Sequence, residues 1–199
     1  CNSMQGMRDV FMSNLEEINR MSQIVNNLLT LAKTDIKIEP EFEDVRLDEI
    51  IDEKFRQSRH IADEKGIAIK LLKNEEITVK GSPLQLRQLI LNLIENAVKY
   101  TPEKGSVIIS LEKYNGNALI KVSDTGVGIA REDIPHIFDR FYRVDKGRAR
   151  TEGGTGLGLS ICKEIVLSHG GRIEVESTLR KGSVFMVYIP IKQSKRLSL

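Results

Sequence analysis

Leu89-Ile90-Leu91-Asn92-Leu93-Ile94-Glu95-Asn96-Ala97-Val98-Lys99-Tyr100-Thr101-Pro102 is an apolar run broken by polar residues at helical spacing. Positions i, i+4 and i+7 share a helix face, so Asn92, Asn96 and Lys99 point the same way from an otherwise hydrophobic segment. A polar stripe of this kind needs partners. Asparagine carbonyls are hard oxygen ligands suited to magnesium, and a lysine ammonium is a compact point charge suited to phosphate. Together they describe a place for a metal-bound polyphosphate. Just upstream, Ser82-Pro83-Leu84-Gln85 supplies an N-cap, a proline at the first helical position and a capping-box partner, which fixes where this helix begins.

Downstream lie two glycine loops, Asp124-Thr125-Gly126-Val127-Gly128-Ile129 and Gly153-Gly154-Thr155-Gly156-Leu157-Gly158-Leu159-Ser160. Asp124 ends a predicted strand where Gly126 and Gly128 let the backbone approach a flat ligand closely. Gly154, Gly156 and Gly158 alternate just before a predicted helix, exposing backbone N–H groups and the positive helix end to anionic oxygens. The spacing is neither a Walker loop, since no Gly-Lys-Ser/Thr follows, nor a dinucleotide fingerprint after a strand. Between the loops stands Ile137-Phe138-Asp139-Arg140-Phe141-Tyr142-Arg143.

These four stretches, in this order, resemble the nucleotide-binding boxes of sensor histidine kinases: the N box (92–102), the first glycine box (124–128), the F box (137–143) and the second glycine box (154–158). The resemblance covers roughly residues 8 to 191. It implies an α+β fold, a two-layer α/β sandwich of the ATP-binding type shared with gyrase, the Hsp90 chaperone and the MutL repair protein. It implies ATP and Mg²⁺ as cofactors, with Asn96 as the metal ligand and Asn92 and Lys99 beside it. Asp124 becomes the adenine anchor, accepting the exocyclic amine, with Gly126 and Gly128 giving close approach. Tyr100 stands near the base, and Ile129 and Ile137 line the adenine pocket. Thr155, Gly156, Leu157, Gly158 and Leu159 contact phosphate and hinge a lid, Phe138 and Phe141 pack that lid down, and Arg143 reaches the γ-phosphate.

One departure from related ATPases is informative. Gyrase-like enzymes place a water-activating glutamate one turn before the metal asparagine; here that position is Asn92. Without that base the site is expected to hydrolyse ATP slowly and hold the γ-phosphate for another nucleophile. Glu95 points elsewhere on the helix.

The remaining elements follow from pattern. From Phe11, positions Phe11, Leu15, Ile18, Ser22, Val25, Leu29 and Ala32 step by four and three, a heptad seam that requires packing against other helices. With Leu28-Leu29-Thr30-Leu31-Ala32-Lys33-Thr34-Asp35 it resembles the second helix of the dimerization hairpin, implying a homodimer in the intact protein. Leu47 to Glu64 reads as a helix stopped by Gly66, followed by strands Ile67–Leu72 and Ile77–Val79. A hairpin of 107–114 and 118–122 turns at Asn115-Gly116-Asn117; residues 146–150 read as a loop; 157–168 reads as a helix; strands 172–177 and 183–189 close the domain. The expected organisation is 1–35 hairpin remnant, 36–45 linker and first strand, 46–192 catalytic domain and 193–199 tail.

Thirty basic against 28 acidic residues give a net charge of +2, which points to no nucleic-acid partner. Two cysteines, Cys1 and Cys162, read as unpaired thiols in a reducing compartment. No run of about eighteen apolar residues is present, so the chain is read as spanning no membrane, and the resemblance implies a cytoplasmic piece whose membrane connection lies upstream. The family's phosphoacceptor sits in His-Glu/Asp-x-x-Thr/Asn-Pro, and none of His60, His136 and His169 matches. The catalytic residue set on this chain is therefore empty. The expected activity is transfer of the γ-phosphoryl group to a histidine elsewhere, then relay to a response regulator receiver domain. The rivals are a same-fold ATPase, an anti-sigma serine kinase, or a module that binds ATP without transfer.

Overall fold

The computed structural model describes residues 41–144 and 155–191, with isolated helical positions at 6–8, 10, 11, 14 and 18. Most of the heptad seam, the 146–150 loop, Gly154 and the 193–199 tail lie outside the described residues. Within 41–191 the order is β1 (Glu43–Arg46), α1 (Leu47–Glu64), β2 (Ala68–Asn74), β3 (Thr78–Gly81), α2 (Pro83–Tyr100), β4 (Ser106–Tyr114), β5 (Asn117–Asp124), α3 (Gly158–Ser168), β6 (Arg172–Thr178) and β7 (Gly182–Pro190). One sheet runs β2-β4-β5-β7-β6, parallel only at β2–β4, and a small sheet pairs β1 with β3. The three helices cover one face of the larger sheet, which is the expected two-layer α+β sandwich.

The core lies between those layers. Leu86, Leu89, Ile90, Leu93, Ile94, Ala97 and Val98 of α2 are all buried. They meet Ile109 and Leu111 of β4, Ile120 and Val122 of β5, and Ile161, Cys162 and Ile165 of α3 in one cluster. The helix α1 has the bounds expected from sequence, with Gly66 beyond it in the left-handed region at φ 65°. The β4–β5 hairpin turns through Asn115 and Gly116, both at positive φ, as a two-residue turn of this twist requires. Cys162 is a free thiol, and burial pushes its pKa up to about 12, so it behaves as a core residue.

One expectation is corrected at the start of α2. The proposed capping box does not form: Ser82 makes no side-chain cap, and Gln85 Oε1 is buried without a partner. The reason is His169. Its Nε2 accepts the Ser82 backbone N–H at 3.1 Å, taking the donor that a capping-box glutamine serves. Its Nδ1–H donates to the Ile165 carbonyl at 2.7 Å, and its ring stacks on Phe42 at 4.6 Å. Gly81 is required beside it, because a Cβ there would stand 2.5 Å from His169 Cδ2. One buried imidazole thus ties the end of α3 to the start of α2 and to the chain entering β1.

His169→Ala leaves the buried Ser82 N–H unpaired and empties the space of the packed ring, and is expected to lower stability by about 2–4 kcal/mol. Burial holds the His169 pKa below its ordinary value, while the unfolded ring titrates at about 6.5. The wild type therefore loses stability as pH falls below that unfolded value toward the depressed folded one, because folding must expel a proton. The gap between wild type and variant should narrow from pH 7.5 to 5.5 in chemical denaturation. An equal gap at both pH values would contradict this account of the ring.

Candidate nucleotide-binding site

The first glycine loop is held by its neighbours on both sides. Asp124 ends β5 paired with Val107 of β4 and Ser183 of β7. Asp124 is 9% exposed, and its Oδ1 accepts the N–H groups of Gly126 at 2.8 Å and Ser183 at 3.2 Å. Burial raises its pKa, and those two donors oppose the rise. Among the described residues no hydrogen bond reaches Oδ2, so one oxygen is fixed and the other is left to accept from a ligand.

The loop glycines are required by backbone contacts. A Cβ on Gly126 would stand 2.5 Å from the Tyr100 carbonyl, which accepts the Val127 N–H at 3.1 Å. Gly128 lies at φ 65°, where a Cβ would come within 2.0 Å of the Thr178 carbonyl. The Ile129 N–H donates to Ser177 Oγ at 2.8 Å, and Ser177 in turn bonds Ser183 Oγ and the Gly182 carbonyl. Ile137 is buried and Ile129 packs against the core from a half-buried position.

The polar stripe of α2 is a half-buried ridge, as its spacing predicts. Asn92 Nδ2 donates to the Gly158 carbonyl at 3.3 Å, fastening α2 to the first residue of α3. Asn96 faces the same place: its Nδ2 is 3.8 Å from where a Gly158 Cβ would sit. Among the described residues the Asn96 side chain makes no hydrogen bond, so its carbonyl remains available to a metal. Lys99 Nζ stands 5.5 Å from the centre of the half-exposed Tyr100 ring. Lys65, reaching from beyond α1, donates to the Val98 and Lys99 carbonyls and satisfies the end of α2. Glu95 turns toward α1; burial raises its pKa and Lys54 opposes the rise, consistent with the absence of a role assigned to it.

At the second glycine loop the Thr155 hydroxyl accepts the Leu157 N–H at 3.3 Å, and α3 starts without a side-chain cap. Its leading N–H groups are therefore presented beside Asn96, an arrangement suited to anionic oxygens. Leu157 is 1% exposed and Leu159 packs on the core, so both side chains belong to the core. Phe138 packs on the core, but Phe141 does not. It is 66% exposed at φ 65°, because its N–H is drawn to the Gly156 carbonyl at 3.0 Å. Arg143 follows, half-exposed.

Sequence reasoning missed Ser177, Gly182 and Ser183, which build the far wall of the Asp124 loop. Gly182 has φ 107°, and a Cβ there would collide with the Asp124 carbonyl at 2.0 Å. The signal is the Arg180-Lys181-Gly182-Ser183 turn, whose glycine reads as an ordinary hairpin residue until β7 is paired with β5.

Residues 81–193 match the family model described as histidine kinase-, DNA gyrase B- and HSP90-like ATPase. The chain is 35% identical over 189 residues to the sensor histidine kinase CusS of Escherichia coli K12, covering 94% of this chain and 39% of that protein. It thus spans about two fifths of that relative's length. The catalytic domain of histidine kinase ThkA superposes with a TM-score of 0.67 at 30% identity, over 76% of this chain and 96% of that one. Full-length ShkA, solved in complex with AMPPNP, gives a TM-score of 0.74 at 30% identity, over 85% of this chain and 35% of that one. With the family model covering more than half its length, on a sandwich whose loops and polar ridge stand in the family's order, the chain belongs to the histidine kinase-, DNA gyrase B- and HSP90-like ATPases.

Proposed function

We propose that this chain is the Mg-ATP-binding catalytic part of a sensor histidine kinase, delivering the γ-phosphoryl group to a histidine other than its own three. The observation that carries this reading is the Asn96 carboxamide, without a protein partner among the described residues and set beside the uncapped start of α3. The relatives named above and the AMPPNP held by ShkA support it. Asp124 Oδ2 accepts the adenine amine, and Gly126 and Gly128 admit the base edge. Asn92, Asn96, Lys99 and Tyr100 line the α2 side, Ile129 and Ile137 the base pocket, and Thr155 to Leu159 with Arg143 the phosphate side.

The residues present fit a magnesium ion, because a neutral amide oxygen lies next to helix N–H groups and a lysine that hold phosphate. When bound there, Mg²⁺ supplies neutralisation of phosphate charge. The protein residues position the phosphates and spread their charge, which is most of what phosphoryl transfer demands of a protein. Asn92, at the place of a water-activating glutamate in related ATPases, is an amide already bonded to Gly158. The γ-phosphate is thereby held for a nucleophile brought by another segment. In this reading residues 1–35 form the second hairpin helix, 36–45 the linker and first strand, 46–192 the catalytic domain and 193–199 a tail. The intact protein dimerizes, passes its phosphoryl group to a receiver domain and meets the membrane through other segments. Among the described residues no helix is long and apolar enough to cross one.

Incubation with γ-labelled ATP should leave this chain unlabelled while it labels a separately supplied hairpin bearing the acceptor histidine. Acid-labile label on His60, His136 or His169, or no label on the hairpin, would contradict the proposal. Asn96→Asp, which places a charge beside the phosphates, should alter the magnesium dependence of ADP binding, with Asn92→Ala milder; an unchanged dependence removes Asn96 from the metal shell. Asp124→Asn keeps the shape but loses a charge-assisted bond worth about 1.5–3 kcal/mol, so ATP affinity should fall by about ten- to a hundredfold. GTP should gain relative to ATP in parallel titrations, and an unaltered ATP affinity would make Asp124 a turn residue only.

A further inference from the structure

The end of the F box is held in a conformation that its own residues do not favour. Phe141 is a non-glycine residue in the left-handed region, and its ring is mostly exposed. Neither local preference nor burial keeps it there, so neighbouring ties must. Three consecutive residues supply such ties. The Arg140 Nη2 bonds Glu164 Oε1 of α3 at 2.8 Å, with the side chains 40% and 26% exposed. The Phe141 N–H bonds the Gly156 carbonyl, and Gly156 must be glycine, since a Cβ would stand 2.8 Å from the Phe141 carbonyl carbon. The Tyr142 hydroxyl donates to Asp133 at 2.6 Å, back within the same segment. Of the three, only Arg140–Glu164 is a side-chain tie to a helix of the core, and Arg143 follows directly.

We propose that Arg140 and Glu164 are positioning residues for the triphosphate end of the nucleotide, fastening the F box to α3 and so fixing where Arg143 stands relative to the start of that helix. This rests on the nucleotide reading above. The same helix presents its N-terminal groups at Gly158 and, about one and two thirds turns on, anchors the F box at Glu164. The phosphate-facing N–H groups and Arg143 are thereby referred to one rigid element. The pair acts on the nucleotide by placing Arg143, so its loss is felt by a nucleotide with a γ-phosphate and not by one without.

The test is calorimetric titration of the whole chain with Mg-ATP and Mg-ADP for wild type, Arg140→Gln, Glu164→Gln, the double variant and the charge exchange Arg140→Glu with Glu164→Arg. A partly exposed ion pair predicts a two- to fivefold loss of ATP affinity, roughly, in either single variant. ADP affinity should be unchanged, the double variant no worse than the singles, and ATP affinity restored in the exchange. Equal weakening of ATP and ADP would make the pair a fold contact only, and unchanged ATP affinity or no rescue would likewise overturn the inference. A wild-type chain that binds ATP but shows either result refutes the positioning pair alone. A wild-type chain that binds neither nucleotide overturns the nucleotide reading along with it.

Discussion

The seven buried residues of α2 set the rest of the molecule. Once Leu86, Leu89, Ile90, Leu93, Ile94, Ala97 and Val98 are committed to the sheet and to α3, the rotation of the helix is fixed. At about 25 cal/mol per Å² of apolar area, reversing that commitment would expose a large part of the core. The rotation leaves Asn92, Asn96 and Lys99 on a half-buried ridge, with neighbours decided by where the two flanking helices pack. On one flank α1 brings Lys54 toward Glu95; on the other, α3 begins at Gly158 against Asn92. The polar chemistry follows from hydrophobic burial, and Asn92 converts that packing into a specific registry between α2 and α3.

The second determinant is the end of the sheet. β5 ends at Asp124 between the starts of β4 and β7, and two backbone donors, at Gly126 and Ser183, are spent on a single carboxylate oxygen. A buried carboxylate resists ionisation, and two N–H groups offset that resistance only in part. The other oxygen is therefore an acceptor in a poorly solvated place, where a complementary donor counts for more than it would in water. The glycines around it serve backbone approach: Gly126 against the Tyr100 carbonyl, Gly128 against Thr178 and Gly182 against Asp124 itself.

Much of this is legible along the chain because it is local. Helical spacing gave the ridge on α2, Asn115-Gly116 gave the hairpin, and Pro83 and Gly66 marked helix boundaries. The losses are the non-local contacts. Nothing near Ser82 announces that His169, 87 positions away, takes its N–H and dismantles a capping box that the local residues would support. Ser177, Gly182 and Ser183 carry no distinctive pattern, and they matter only because β7 pairs with β5 beside Asp124. Phe141 looks like a packing residue from composition alone, yet its backbone bond to Gly156 turns the ring outward. Leu157 and Leu159, expected from sequence as phosphate contacts, commit their side chains to the core.

The central claim is that one cleft joins Asp124, the α2 ridge and the start of α3 around a single metal-bound nucleotide. A crystal structure of this chain with magnesium and a non-hydrolysable ATP analogue tests it most directly. The account predicts the adenine amine on Asp124 Oδ2, with Oδ1 still bonded to Gly126 and Ser183. It also predicts the metal on the Asn96 carbonyl and phosphate oxygens at the first N–H groups of α3. An adenine bound away from Asp124, or a metal held without Asn96, would contradict it.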